Sequence, residues 1–201
     1  MLLQSTKGKV HAVEMHHWLG WGMDYVLRQA TSEDAEAVVL MHTLAHEECY
    51  PHLLSKAFFA ARRHAIPERV ARRRNHLDVQ DPRIIAVDAN NEVVGFADAG
   101  PGRDEDGPVP LELYSIYLLA RAQGTGLGAN LMGAAIGESP AYLWVLEDNL
   151  RAQAFYRRHG FQPDGRRGLL PPEWEALPEL RMVRTRRDAR SAAGTGSGCS
   201  C

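Results

Sequence analysis

The apolar run that opens Tyr25 to Gln29 reads as the first strand, whereas Met1 to Gly22 show no clear period. Thr31-Ser32-Glu33-Asp34 then offers hydroxyls and carboxylates to the free N–H groups that open a helix. The spacing of Ala37, Val38, Leu40, Met41, Leu44 and Ala45 predicts that this helix runs to about Glu48 with those residues on its apolar face. A second helical stretch follows Pro51 and extends to about Asn75, with a break expected at Pro67. Arg83 to Asp88 and Glu92 to Asp98 read as strands of a hairpin around Ala89-Asn90-Asn91. The polar Gly100 to Pro110 reads as a mobile loop bordering a site. Leu111 to Leu119 is strand-like, Asn130 to Glu138 helical, Ala141 to Leu146 a buried strand, and Asn149 to Phe161 a short helix closed by Gly160. Gln162 to Arg167 and Glu179 to Arg184 are closing strands around an irregular excursion, Leu169 to Leu177, and residues beyond Thr185 turn polar and Gly/Ser-rich, as disordered tails do.

Between the strand ending at Leu119 and the helix beginning at Asn130 lies Gln123-Gly124-Thr125-Gly126-Leu127-Gly128-Ala129. Alternating glycines at a strand-to-helix junction let successive N–H groups and the positive end of a helix dipole converge on one point, a phosphate cradle. A P-loop would end in Gly-Lys-Ser/Thr, and this run ends in Gly128-Ala129-Asn130. A dinucleotide fingerprint is harder to dismiss: Gly124, Gly126 and Ala129 satisfy G-x-G-x-x-A, and Glu147 lies near the expected distance downstream. Too little chain follows, however, for the βαβ series such a fold requires. The remaining reading is the pyrophosphate of coenzyme A.

Two blocks make that reading specific. Gln123 to Gly128 fits Q-x-x-G-x-G and Asn149 to Phe161 fits N-x(5)-F-Y-x-x-x-G-F, and together they resemble the signature blocks of the GNAT superfamily of acyl-CoA N-acyltransferases. The resemblance spans Tyr25 to Arg184. It implies a mixed α+β, three-layer fold: a mostly antiparallel sheet of six to seven strands with a splayed parallel pair, and helices on both faces. The pantetheine arm of acetyl-CoA, the acyl-donor cosubstrate, would enter between the strands of Leu111 to Leu119 and Tyr142 to Leu146. Unpaired amides are costly there, and the arm would satisfy them. By the same resemblance Ile116, Tyr117 and Leu118 flank the arm, with main-chain bonds from Ile116 and Leu118. Gln123, Gly124, Thr125, Gly126, Leu127, Gly128 and Ala129 surround the pyrophosphate, and Asn149 lies near the arm or caps its helix. The implied reaction is direct attack of a primary amine, on a small molecule or a peptide, upon the thioester in a ternary complex.

An alkyl amine is protonated near neutral pH, so the site must remove a proton. Glu112 stands where the family carries such a carboxylate, and alternation puts it on one face with Tyr114, Ile116 and Leu118. Asp98 and Glu147 are the alternatives. Tyr156, in the Phe-Tyr pair of the second block, is expected to protonate or hydrogen-bond the departing thiolate. Glu47, Glu48 and Tyr50 are candidate acceptor contacts. A ping-pong route through Cys49 has no recognisable base, since His46 and His52 are only sequence neighbours.

Composition narrows the picture. A chain of 201 residues that is 45% hydrophobic can bury one substantial core. The expected division is an extension at 1–22, one acetyltransferase domain at 23–185 with Met23 as the working start, and a flexible tail at 186–201. The formal charge of −2 gives no global basic field for nucleic acid or an anionic membrane. Arg62, Arg63, Arg72, Arg73 and Arg74, and Arg184, Arg186 and Arg187, read as solvated runs. No apolar stretch approaches the roughly 20 residues that a membrane span needs, and Lys7, Lys9, His11, Glu14, His16 and His17 interrupt any secretory leader. Solitary Cys49 and tail residues Cys199 and Cys201 make no disulfide framework. A cytoplasmic protein without a metal is expected, and dimerisation, common in the family, stays open. So do two other functions: a regulatory module that binds acetyl-CoA without turnover, and a nicotinamide-dinucleotide enzyme.

Overall fold

The computed structural model describes residues 16–20, 23–77 and 81–185. The expectations for His11, Cys199, Cys201 and the rest of the two termini lie outside the described residues. Contacts divide the chain into two compact units, one holding the described residues up to Asp98 with Ile116–Ala135, the other Ala99–Ser115 with those from Ile136 onward.

The first unit is built on a run of antiparallel strands: β1 (His16–Gly20), β2 (Met23–Gln29), β3 (Arg83–Asp88) and β4 (Val93–Pro101), whose last residues pass into the second unit. β1 lies in the stretch without a clear period. It pairs with β2 in register, His16 opposite Leu27 through Gly20 opposite Met23, and brings the described strands to one more than the expected six to seven. Its residues, HHWLG, carry no two-residue alternation that a pattern could detect. The β3–β4 turn is set by Asp88, whose side chain accepts from the N–H groups of Asn90 (2.9 Å) and Glu92 (3.0 Å), with Asn91 at φ 63°.

Helix α1 (Ala35–Cys49) buries Ala35, Val38, Val39, Met41, Thr43, Ala45 and His46. Leu40 and Leu44, expected on that face, are 48% and 44% exposed. The buried stripe is turned by polar residues that a hydrophobic pattern undervalues: Thr43 bonds back to the Val39 carbonyl (2.8 Å) and accepts from the guanidinium of Arg69 (2.7 Å). The next helical stretch splits at Ala65 into α2 (Lys56–His64), capped by Ser55, and α3 (Ile66–Leu77). Pro67 therefore sits in a first turn, where a missing N–H costs nothing. Val38, Met41, Val70, Ile85, Phe96 and Leu119 lie together in this unit's core.

In the second unit the strand order is β5 (Leu111–Leu118, ending in the first unit), β6 (Ala141–Leu146), β8 (Pro178–Arg184) and β7 (Gln162–Leu169). Among the described residues β5 and β6 are parallel and opposed at one pair, Glu112 and Tyr142; β6–β8 and β8–β7 are antiparallel. This is the mixed α+β architecture expected, its parallel pair barely joined. Helix α5 (Leu150–Arg158) follows β6. β7 is bulged between Pro163 and Arg167, with Gly165 at φ 89°.

Candidate functional site

The glycine-rich turn lies in the first unit, and its approach is bolted down residue by residue. The N–H of Leu119 donates to the Val94 carbonyl (2.9 Å) and that of Ala120 to Glu48 Oε2 (2.7 Å). Arg121 reaches Asp88 (3.2 Å) and Glu92 (2.7 Å), and the Thr125 hydroxyl donates to the Ala122 carbonyl (2.8 Å). The Gln123 amide turns back, donating to the Leu118 carbonyl (3.1 Å) and toward Cys49 Sγ (3.6 Å). Gly124 and Gly126 then take φ of 81° and 87°, a left-handed backbone that side chains resist, and nothing stands within 4 Å of where a Cβ would be. Helix α4 (Leu127–Ile136) starts three residues before the expected Asn130, inside the glycine run, so its N-terminal amides belong to the turn. Among the described residues no acceptor lies against the N–H of Gly126 or Gly128. The result is an open concavity of donors at a helix N-terminus.

Beside it, the ring of Tyr117 lies 4.4 Å from His42 and 4.9 Å from His46, both on α1. Burial, the neighbouring histidine and the cations of Arg69, Arg62 and Arg73 push His42 well below its ordinary value, and burial with Arg62 and Arg69 brings His46 to about 3. Both are therefore neutral at pH 7. Arg69, brought to about 10 by burial and by Arg62, Arg72 and Arg73, has no carboxylate partner among the described residues. Arg73 pairs with Asp98 through two bonds of 2.9 and 3.0 Å and lies 4.9 Å above the Phe96 ring. The arginines of α2 and α3 are thus not a simple solvated run, and Asp98 is already engaged. Of the proposed acceptor contacts, Glu47 pairs with Arg63 (2.7 Å), Glu48 braces Ala120, and Tyr50 is buried.

The other chemistry-bearing residues lie in the second unit. Glu112 is 1% exposed, and both oxygens are occupied: Oε1 by the Arg103 guanidinium, Oε2 by the main-chain N–H of Arg103 (3.0 Å), its Nε (3.1 Å) and the Tyr142 hydroxyl (3.0 Å). Both oxygens of Glu112, the carboxylate expected to take the amine proton, are thus held by Arg103 and Tyr142 of the same unit. The Tyr142 hydroxyl also accepts from the N–H of Arg103 (2.9 Å) and Asp104 (3.1 Å). Gly102 permits this, since a Cβ there would meet the Tyr142 ring and hydroxyl at 2.9 Å. The loop expected to be mobile is consequently tethered at several points. Nor is Arg184 a solvated cation: it is 7% exposed and donates to the carbonyls of Gly137 and Ser139.

Asn149 caps α5, accepting from the Ala152 N–H (3.0 Å). Tyr156 is 8% exposed, with its ring 5.4 Å from Phe155 and 5.9 Å from Phe161. Glu147 pairs with Arg167 (2.8 Å). A cavity of about 660 Å³ is lined by Arg103–Asp106, Glu112, Trp144, Arg166–Gly168 and Glu179. Pattern reading missed Arg103, Tyr142, Arg181 and Glu179. The first lies in an aperiodic loop, and the others look like ordinary strand residues; only the charges within apolar β8, Glu179 and Arg181, were a visible signal.

Residues 43–161 match the family model described as the acetyltransferase (GNAT) family. Over 95 residues the chain is 36% identical to an uncharacterised N-acetyltransferase of Mycobacterium tuberculosis, covering 43% of this chain and 58% of that protein. The chain thus spans about half the length of the curated relatives it matches. Its fold resembles PaiA N-acetyltransferase from Thermoplasma acidophilum, crystallised with coenzyme A, at TM-score 0.58 and 18% identity over 80% of this chain and 98% of that one. It also resembles an acetyltransferase from Thermus thermophilus, at TM-score 0.55 and 22% identity over 84% and 99%.

Proposed function

Since the chain belongs to the acetyltransferase (GNAT) family, we propose that it transfers the acetyl group of acetyl-CoA to a primary amine of a small molecule or peptide, by direct attack, with residues 23–185 working as one domain. The observation that carries this reading is the turn at Gly124 and Gly126, whose left-handed glycines stand open at the head of α4. Diphosphate is the anion that such a turn suits, because convergent N–H donors and a helix dipole compensate its charge.

In this reading Gly124 to Ala129 hold the diphosphate through main-chain N–H groups, with Thr125 and Leu127 shaping the turn. Ile116 and Leu118 offer main-chain groups to the pantetheine amides. Tyr117 contributes through its main chain, as its ring is turned to His42 and His46. Gln123 stiffens the loop, having spent an amide hydrogen on Leu118, and Asn149 caps α5. Acetyl-CoA supplies an activated carbonyl and a thiolate leaving group. Tyr156 gives its hydroxyl proton to that sulfur as the C–S bond breaks. Glu112 holds Arg103 and Tyr142 in place rather than taking a proton. The work is cytoplasmic, needs no metal, and does not depend on nucleic acid or membrane.

Calorimetry with acetyl-CoA and with NAD, followed by thiol release with an amine panel, tests the proposal. Heat with acetyl-CoA alone and amine-dependent thiol release are expected. Heat without release on any amine would favour the regulatory-module reading, and heat with NAD alone would overturn the cradle assignment.

A further inference from the structure

Where α1 meets α3 in the first unit, the packing is rich in hydrogen-bond donors and poor in acceptors. Arg69 of α3 is 6% exposed; of its five N–H donors, one goes to the Thr43 hydroxyl (2.7 Å) and one toward His42 Nδ1 (3.5 Å). No carboxylate among the described residues meets this guanidinium. Asp98 is spent on Arg73, Glu47 on Arg63, and Glu68 faces Arg72 (3.8 Å). The charges that do bear on Arg69 are those of further cations, Arg62, Arg72 and Arg73.

A guanidinium only donates, so the His42 nitrogen that faces it accepts, and the neutral ring carries its proton on Nε2. That Nε2 is buried and has no hydrogen-bond partner among the described residues, and the same holds for Arg73 Nε. Phe96 gathers these groups: its ring centroid lies 5.0 Å from that of His42 and 4.9 Å from the Arg73 guanidinium carbon. Buried donors without acceptors, around a buried cation without a counter-ion, are costly. One acceptor group bearing one negative charge answers both. The cluster is not sealed, since His42, Arg62, Arg73 and Tyr117 each keep part of their surface in solvent.

We propose that Arg69 and His42 form a binding site for the carboxylate group of a small organic acid, between α1 and α3. A planar guanidinium matches a carboxylate through two parallel N–H bonds. A single negative charge balances Arg69, because Arg73 already has Asp98, whereas a phosphate dianion would bring more charge than this cation offsets. The His42 Nε2–H adds a donor without adding charge, since burial and the surrounding cations keep the ring neutral. Arg69 is lowered to about 10, first by burial and then by its cationic neighbours, and a bound carboxylate draws it back toward its ordinary range. The site stands apart from the acetyl transfer proposed above and fills without acetyl-CoA.

Sodium acetate is the probe, titrated into the full chain at pH 7 while sodium chloride holds the ionic strength constant. Expected are saturable shifts of the Arg69 and Arg73 Nε–H resonances and of the His42 ring nitrogens in ¹⁵N spectra, with Arg63 unmoved, and a higher melting point in acetate than in chloride. Arg69→Lys keeps the charge but loses the fork, and should bind acetate roughly tenfold or more weakly. Arg69→Gln should abolish the His42 shift; if that variant does not fold, the lysine variant decides alone. Resonances indifferent to acetate, as buried water alone would leave them, or an acetate affinity unchanged in Arg69→Lys, would overturn the site. Inorganic phosphate moving the same resonances at lower concentration than acetate would overturn the choice of a carboxylate.

Discussion

Gly126 holds φ at 87° with open space where a side chain would go, so backbone geometry and not crowding demands glycine there. Gly126→Val should therefore fold, since only a local turn is strained, by roughly 1–3 kcal/mol, and yet lose acetyl-CoA binding because the donors no longer converge. Calorimetry beside a thermal melt separates the two effects; retained affinity would remove this turn from the cofactor site. Tyr156→Phe deletes one oxygen from a buried ring and should leave acetyl-CoA affinity unchanged while turnover falls by about 10²-fold or more. Equal turnover would take Tyr156 out of the mechanism. Both residues were legible because short motifs fix them on the chain. Glu112 shows the limit of that legibility: its strand position could be read, but its occupants, Arg103 and Tyr142, come from sequence distances of 9 and 30 residues that no local pattern encodes.

Among the elements, α1 is where pattern and structure parted. Leu40 and Leu44 invited the wrong stripe, and the buried one includes Thr43 and His46, whose polarity is matched or suppressed by surroundings that only the fold supplies. The start of α4 was misjudged for a related reason: glycines discourage a helix in isolation, yet its first turn needs N–H groups more than side chains. α1 also carries a pH dependence. His46 titrates at about 3 when folded and near 6.5 when unfolded, so the unfolded chain binds more protons between those values. The corresponding stability is complete above pH 6.5 and drains away as pH falls toward 3. Thermal melts at pH 7, 6 and 5 should show a declining midpoint that His46→Phe flattens; parallel slopes in the two proteins would contradict the burial of a neutral imidazole. β4 supplies a second test. Phe96 is fully buried beside His42, Tyr117 and Arg73, and Phe96→Ala should cost about 3–5 kcal/mol in chemical denaturation.

At the scale of the whole molecule, family, fold class and the order of its elements were all readable, because two spaced motifs and alternating strands survive without knowledge of contacts. The added strand β1 and the cavity around Glu179 were not, since both are made by pairing of distant segments. A ligand that binds only the folded chain raises its melting point. Acetyl-CoA at a hundred times its dissociation constant should add about 2.7 kcal/mol, or very roughly 5–10 °C for a chain this long. NAD should add nothing, and a shift with NAD alone would favour the dinucleotide fold that the antiparallel run after β6 already argues against. One remaining consequence concerns neighbours. β7, outermost in its strand order, carries Pro163, a left-handed glycine and two exposed arginines across its bulge, so its rim cannot template another chain's ladder. Copies of this protein crowded together at expression should stay apart along that border, and any pairing between them must use some other surface.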